Sequence, residues 1–182
     1  MAKRFNITGI CFPEQHYMAD VANKFQQAKD LVDLREYFAI TGPRQFGKTT
    51  TLFSLADILR KTGEYIVLNT SFEGLGDAMF EDEKTLSMGL IRQWAKHIRL
   101  YDTEWADWVL EQMPKAKKLD AVGDIITPML NKTDKKVVLM IDEVDKSSNN
   151  QLFVSFLAML RNKYLSRDTF KNFSLRHISR CT

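Results

Sequence analysis

The chain has 182 residues, of which 45% are hydrophobic and 27% charged, and its formal net charge is +3. This length and composition are typical of one globular domain, and no apolar run approaches the roughly 20 residues of a membrane-spanning helix. Cys11 and Cys181 lie near opposite ends without metal-binding spacing, so we expect free thiols in the cytoplasm. The mild positive charge does not indicate a nucleic-acid partner.

The amino-terminal part of the chain leads up to a buried strand. Residues 1–19 are interrupted by glycine and proline and predict an irregular lead-in. Asp20 is a candidate N-cap for a helix that runs to about Glu36, since apolar residues recur along this segment at helical spacing. The apolar residues Tyr37–Ile40 then predict the first strand.

The residues after this strand match the P-loop pattern, a glycine-rich turn that binds nucleotide phosphates. Gly42 and Gly47 are separated by four residues, and Lys48 and Thr49 follow directly. A strand precedes the pattern and helical spacing follows it, so backbone N–H groups and a helix N-terminus would point at one anion. Lys48 would reach the β and γ phosphates, and Thr49 would bind Mg²⁺. A chance glycine-rich turn is the alternative. The predicted phosphate-binding residues are Gly42, Pro43, Arg44, Gln45, Phe46, Gly47, Lys48, Thr49 and Thr50.

A second strand and a block of helices follow the P-loop helix. Gly63 is placed to end that helix in the left-handed conformation, and Tyr65–Asn69 predicts a strand parallel to the first. Apolar periodicity then predicts three helices, the last interrupted near its end by Pro128. We interpret His97 as a packing or partly exposed residue, because no second metal ligand stands near it. The predicted helices of this insert are 80–100, 105–113 and 119–130.

The third predicted strand starts at Lys136 and ends in two acidic residues, which is the Walker B pattern. Asp142 at its carboxyl tip would hold Mg²⁺ together with Thr49. Glu143 would polarise the attacking water as general base. A buried strand that ends in surface acids is the alternative, but the P-loop upstream favours the functional interpretation.

Two short matches to GTPase motifs lie in the wrong places. Asn131–Asp134 resembles a guanine-reading motif but precedes the metal-binding acid, and Asp120–Gly123 opens a helix instead of ending a strand. We treat both as coincidence. The acidic pair Asp142 and Glu143 also favours an ATPase.

With both motifs in place, the sequence resembles the bacterial AAA-like ATPase domain, a branch of the P-loop superfamily near the extended AAA and STAND ATPases. The resemblance is carried by Pro43–Leu52, Leu139–Asp145 and Phe153–Tyr164, and His16–Asp20 is similar to the family's lead-in. It implies a three-layer α/β fold around a parallel sheet, with ATP and Mg²⁺ as ligands. On this basis residues 1–182 form a single ATPase domain with a core at 20–169.

The carboxyl-terminal part departs from this resemblance. Residues 149–166 predict a helix, and the family's sheet order, 5-1-4-3-2, then requires a strand that lies between the first and third. Only the tail 170–182 remains, and its charges at Lys171, Arg176 and Arg180 are unusual for a strand buried on both faces. We therefore expect an incomplete sheet, with the strands after Walker B degraded or missing, and hypothesise a truncated chain.

Two classes of function fit these observations. The first is an ATPase, in which hydrolysis of Mg²⁺-ATP switches the conformation of attached segments. The second is a nucleotide-binding switch or interaction module that does not hydrolyse ATP. A small-molecule kinase is disfavoured, because Glu143 directly follows Asp142 and no substrate lid is evident. The sequence names no partner beyond ATP, although a protein partner or self-association is compatible with either class.

Overall fold

The computed structural model describes residues 3–4, 14–17, 22–42, 47–72, 77–142, 150–166 and 177–181. Within these ranges the chain forms six α-helices and four β-strands, and none of the helices is long and apolar enough to cross a membrane. The helices are α1 (Ala22–Asp33), α2 (Lys48–Lys61), α3 (Glu83–Ile98), α4 (Thr103–Glu111), α5 (Leu119–Leu130) and α6 (Gln151–Leu165). The strands are β1 (Phe38–Thr41), β2 (Tyr65–Ser71), β3 (Lys136–Asp142) and β4 (His177–Cys181).

The four strands form one parallel sheet in the order β1-β4-β3-β2. β2 and β3 pair along their full lengths, from Tyr65 opposite Lys136 to Ser71 opposite Asp142. β4 pairs with β1 on one side and with β3 on the other. Because the strands are parallel, their carboxyl ends meet at one edge of the sheet, which is where open α/β sheets place their ligands.

The position of β4 corrects the expectation that the strand after β3 is missing. Its backbone is paired on both sides, to Phe38–Thr41 and to Leu139–Ile141. Of the three charges that argued against such a strand, only Arg180 belongs to it, next to its last residue. Backbone pairing does not require apolar side chains, so a strand of only five residues can carry one charge near its end. The structure thus has an α/β arrangement with the strand order 1-4-3-2.

Helices cover both faces of this sheet, because successive side chains of β2 and β3 point to opposite sides. One set packs in a hydrophobic core with α1 and α2, and the other set packs with α3 to α6. The first set is Tyr65, Val67, Val138 and Met140, and the second is Ile66, Leu68, Val137, Leu139 and Ile141. All nine side chains are at most 2% exposed.

The insert between β2 and β3 is helical, as predicted, and consists of α3, α4 and α5 with short 3₁₀ turns at Asp77–Phe80 and Met113–Lys115. Asp82 and Asp102 cap α3 and α4 by accepting hydrogen bonds from the amides of Thr85 and Trp105, both at 2.8 Å. Contrary to prediction, Pro128 does not interrupt α5, which continues to Leu130. So close to the helix end, proline removes only one of the last backbone hydrogen bonds.

The first helix ends three residues before the predicted Glu36. The amide of Glu36 bonds to the carbonyl of Leu31 at 2.9 Å, and the amide of Arg35 bonds to the carbonyl of Val32 at 3.2 Å. Together these bonds form a Schellman motif, whose central residue is left-handed. Arg35 occupies that position with φ 61°. The predicted N-cap of this helix, Asp20, lies outside the described residues.

Candidate functional site

The carboxyl edge of the sheet brings together the two segments that the sequence predicts to bind nucleotide. Gly42 directly follows β1, and Asp142 is the last residue of β3. β4 lies between these strands, so they are about 10 Å apart, twice the usual strand spacing. This separation is compatible with one ligand that contacts both segments.

Gly47 turns the chain into α2. It has φ 73° and ψ 19°, a left-handed conformation that glycine adopts without the steric cost of a Cβ. Its carbonyl accepts the amide of Thr51 at 2.8 Å and the hydroxyl of the same residue at 3.0 Å. The amides ahead of Thr51 belong to the first helical turn, where the helix dipole gives partial positive charge, so this end of α2 is suited to an anion.

Lys48 joins the two ends of the predicted loop. It is the first residue of α2, it is only 4% exposed, and its ammonium donates a hydrogen bond to the backbone carbonyl of Gly42. A buried ammonium requires oxygen acceptors. A phosphate would provide a stronger acceptor than this neutral carbonyl, because hydrogen bonds between two charged groups are the strongest class.

The remaining predicted ligands in the described ranges lie close to these two ends. Thr49 is half-buried and Thr50 is buried, both in the first turn of α2. Asp142 is half-buried at the tip of β3. A hydroxyl and a carboxylate are the hard oxygen ligands that Mg²⁺ prefers, and within the described ranges a Cβ added at Gly42 or Gly47 would meet nothing within 4 Å. The chemistry of the available oxygen ligands therefore fits a magnesium-bound phosphate chain.

Five predicted site residues lie outside the part of the chain that the structure describes. They are Pro43, Arg44, Gln45, Phe46 and Glu143. Their predicted roles rest on the sequence pattern alone.

Two positions at this edge were not predicted to belong to the site. Ser71 extends β2 two residues beyond the predicted Asn69 and lies opposite Asp142. Cys181, the last residue of β4, lies opposite Thr41 at the end of β1. The sequence signal for Ser71 was the carboxyl end of a predicted strand, whereas Cys181 could only be placed once β4 was known to pair with β1.

An open groove of about 630 Å³ lies elsewhere, between α5 and α6. Asp120 and Asp124 line one side, and Asn162 and Lys163 line the other. Among the predicted nucleotide ligands that the structure describes, none borders this groove.

Comparison with known proteins leaves the family open. No family model and no curated protein matches this chain. Among solved structures, a chain in the structure of Drosophila ORC bound to poly(dA/dT) DNA and Cdc6 is similar, with a TM-score of 0.45 and 14% sequence identity. The similar region covers 87% of this chain and 24% of that chain. A likeness of this degree assigns neither a function nor a ligand, so the site's own geometry has to carry the functional argument.

Proposed function

We propose that this protein binds ATP together with Mg²⁺ at the carboxyl edge of its sheet. The observation that carries the proposal is the junction of Gly47 and Lys48, where a left-handed glycine opens α2 and a buried ammonium is held at the end of β1. The arrangement combines the first amides of a helix with a positive charge, which together suit a polyphosphate.

Each part of the site has a distinct role in this proposal. The first amides of α2 and the ammonium of Lys48 hold the β and γ phosphates, and Pro43–Phe46 complete the loop around them. Thr49 and Asp142 are the residues that would hold Mg²⁺, which when bound neutralises charge on the phosphate oxygens. Together these residues form one site of the P-loop NTPase type.

We further propose that the bound ATP is hydrolysed. Glu143 directly follows Asp142, the last residue of β3, in the sequence. In the proposed role, its carboxylate orients a water for attack and accepts the proton of that water. The chain would then act as a single-domain cytoplasmic ATPase, whose cycle changes the conformation of attached segments or of a protein partner.

A switch that binds but does not hydrolyse ATP is the second candidate. Both candidates use Lys48, Thr49 and Asp142 to bind the nucleotide, whereas only hydrolysis requires Glu143. The two candidates share the same nucleotide site and differ in phosphate release.

Binding is tested with a Lys48→Ala variant and a matched lysine elsewhere on α2. Lys61 ends the same helix, is exposed, and pairs with Asp57 at 2.7 Å. Calorimetric titration with Mg²⁺-ATP should give an affinity about 10- to 100-fold weaker for Lys48→Ala than for the unmodified chain, because a charge-assisted contact to phosphate is lost. Lys61→Ala should bind normally. Equal affinities in all three proteins would contradict the proposed site.

Hydrolysis is tested by phosphate release from the unmodified chain and from Glu143→Gln, with Glu111→Gln as an exposed carboxylate control on α4. If the protein is an ATPase, Glu143→Gln should retain ATP but release about 100-fold less phosphate, as expected when a general base is removed. If the unmodified chain binds ATP but releases no phosphate, the non-hydrolysing switch is the correct candidate. Release that is equally fast in Glu143→Gln would exclude the proposed base.

A further inference from the structure

Among the residues that the structure describes, β2 is the last strand at one side of the sheet, and its outer backbone groups face away from β3. The amide of Lys136 bonds to the carbonyl of Glu64 at 3.0 Å, which shows that the even-numbered residues near β2 point their backbone groups toward β3. Backbone groups alternate along a strand. The odd-numbered residues Val67, Asn69 and Ser71 therefore direct their amides and carbonyls to the open side.

Three side chains from α3 and the turn that follows it lie along these three residues, and two of them hydrogen-bond to the strand. Gln93 Nε2 donates to the carbonyl of Ser71 at 3.4 Å, and the hydroxyl of Tyr101 accepts from the amide of Val67, also at 3.4 Å. Between them, His97 lies beside the backbone of Asn69, whose influence favours the protonated imidazole.

The spacing of these contacts follows from the geometry of a helix beside a strand. Residues four apart on a helix are separated by about 6 Å along its axis, and residues two apart on a strand by about 6.6 Å. Gln93, His97 and Tyr101 are therefore spaced to match every second residue of β2, and the two segments run in opposite directions. We refer to these three side chains as the edge ladder.

The edge ladder is also connected to the other face of the sheet. Arg60 at the end of α2 donates its Nε hydrogen to the hydroxyl of Tyr101 at 2.9 Å. Burial and the nearby positive charges of Arg60 and Lys96 lower the pKa of His97 below its ordinary 6.5. His97 is consequently neutral near pH 7. The ladder thus links α2, β2 and α3 around the side of the sheet.

We propose that the edge ladder closes β2 against strand addition by a second copy of this chain. An edge strand with unpaired amides and carbonyls is a template for pairing with another strand, and natural proteins cover such edges. Here side chains occupy groups that a neighbouring strand would use. Removing them would leave the outer groups of β2 available, and the partner best matched in length and residue pattern is another β2.

The test is a triple variant, Gln93→Leu with His97→Leu and Tyr101→Phe, which removes the polar groups of the ladder and keeps apolar bulk. The matched control is Lys84→Leu with Arg92→Leu, which adds two leucines at exposed positions of the same helix. Sedimentation velocity over a range of concentrations should show about a tenfold or greater gain in self-association for the triple variant alone. No gain, or an equal gain in the control, would overturn the proposal.

A single variant keeps the proposal testable if the triple variant fails to fold. Tyr101→Phe removes only the hydroxyl that accepts from Val67. Hydrogen exchange of the Val67 amide should become about tenfold faster, as expected for one lost hydrogen bond, whereas the amide of Val138 in the central β3 should be unaffected. Unchanged exchange at Val67 would show that the ladder does not protect this edge.

Discussion

Gly47 and Gly63 show how one backbone conformation can serve different purposes. Both have φ 73°, and a Cβ built at either position meets no described residue within 4 Å. An alanine at either position would therefore cost free energy through backbone conformation and not through collision. Gly47 begins α2 beside Lys48, whereas Gly63 follows the other end of the same helix.

We predict that Gly47→Ala and Gly63→Ala each lower the free energy of unfolding by about 1 kcal/mol, which is the usual cost of a left-handed alanine. Only Gly47→Ala should also weaken ATP binding, because it alters the amides that would face the phosphates. Urea unfolding and calorimetric titration of both variants check this pair. If Gly63→Ala weakened ATP binding as much as Gly47→Ala, the effect would reflect stability and not the proposed site.

Arg35 holds a backbone conformation that glycine adopts more readily. Its φ of 61° is set by the Schellman motif that ends α1. We predict that Arg35→Gly raises the free energy of unfolding by about 0.5–1 kcal/mol, since the left-handed strain is relieved. Arg35→Ala, measured by the same urea titration, separates this effect from the loss of the charge. Equal stabilisation by alanine would mean that backbone strain is not the cause.

At the scale of elements, a group of polar residues fastens α1 to the amino end of β2. Asp33 accepts hydrogen bonds from Lys29, one helical turn earlier, and from the hydroxyl of Tyr65. Lys136 of β3 lies 5.0 Å from the centre of the Tyr65 ring. Partial burial opposes ionisation of Asp33, but the hydrogen bonds from Lys29 and Tyr65 outweigh it, and the pKa of Asp33 lies below 3.8.

The sign of the pH dependence follows from this lowered pKa. Asp33 stabilises the fold above about pH 4, and this contribution is lost as the pH falls through the lower pKa of the folded state. Because the Asp33 side chain is 38% exposed, we expect Asp33→Asn to cost about 1 kcal/mol or less near neutral pH. Urea titrations near pH 7 and below the folded pKa should show this difference shrinking with acidity. Asp30→Asn is the control, since among the side-chain hydrogen bonds described Asp30 accepts only the one from Gln26. If the stability lost in Asp33→Asn were the same at both pH values, the lowered pKa of Asp33 would be contradicted.

The elements that sequence could predict are those with a strong apolar pattern. β2 and β3 are nearly continuous apolar runs, and α3 and α5 have clear helical spacing, so both types were placed to within a few residues. β4 was missed because its five residues include His177, Ser179 and Arg180, and backbone pairing leaves no signal in composition. The early end of α1 was missed because Arg35 stands where glycine is the usual signal.

The candidate site was predictable for a similar reason. Glycine spacing identifies a turn that brings backbone amides to an anion, and an acid at the end of an apolar run identifies the carboxyl edge. The burial of Lys48 and its bond to Gly42 were not predictable, because they depend on how β1 and α2 are placed relative to each other. The edge ladder was likewise not predictable, because its contacts depend on the distance between α3 and β2.

At the scale of the whole molecule, the position of β1 depends on the end of the chain. Within the described residues, β1 pairs with β4, and β4 pairs with β3. The strand that carries Gly42 is therefore joined to the rest of the sheet through residues 177–181. The strand that precedes the proposed nucleotide loop is thus held in register by residues 177–181.

This dependence predicts the effect of ending the chain at Ser166. Without β4, β1 loses its backbone partner, and the partly buried Phe38 and Ile40 lose the strand that fixes them against the core with α1 and α2. We expect the melting temperature to fall by about 10 °C or more, consistent with the loss of several hydrogen bonds. ATP binding should be lost together with hydrogen-exchange protection of the β1 amides.

The same exchange measurement contains its own control. The amides of Ile66 and Leu68 point toward β3 and not toward β4, so they should remain the better protected amides in the shortened chain. Loss of protection at β1 alone would show that β4 acts locally, by fixing the position of the strand that precedes the predicted nucleotide loop. Retained protection at β1 and an unchanged melting temperature would show that β1 does not depend on β4, and its link to the sheet would then have to run through α2.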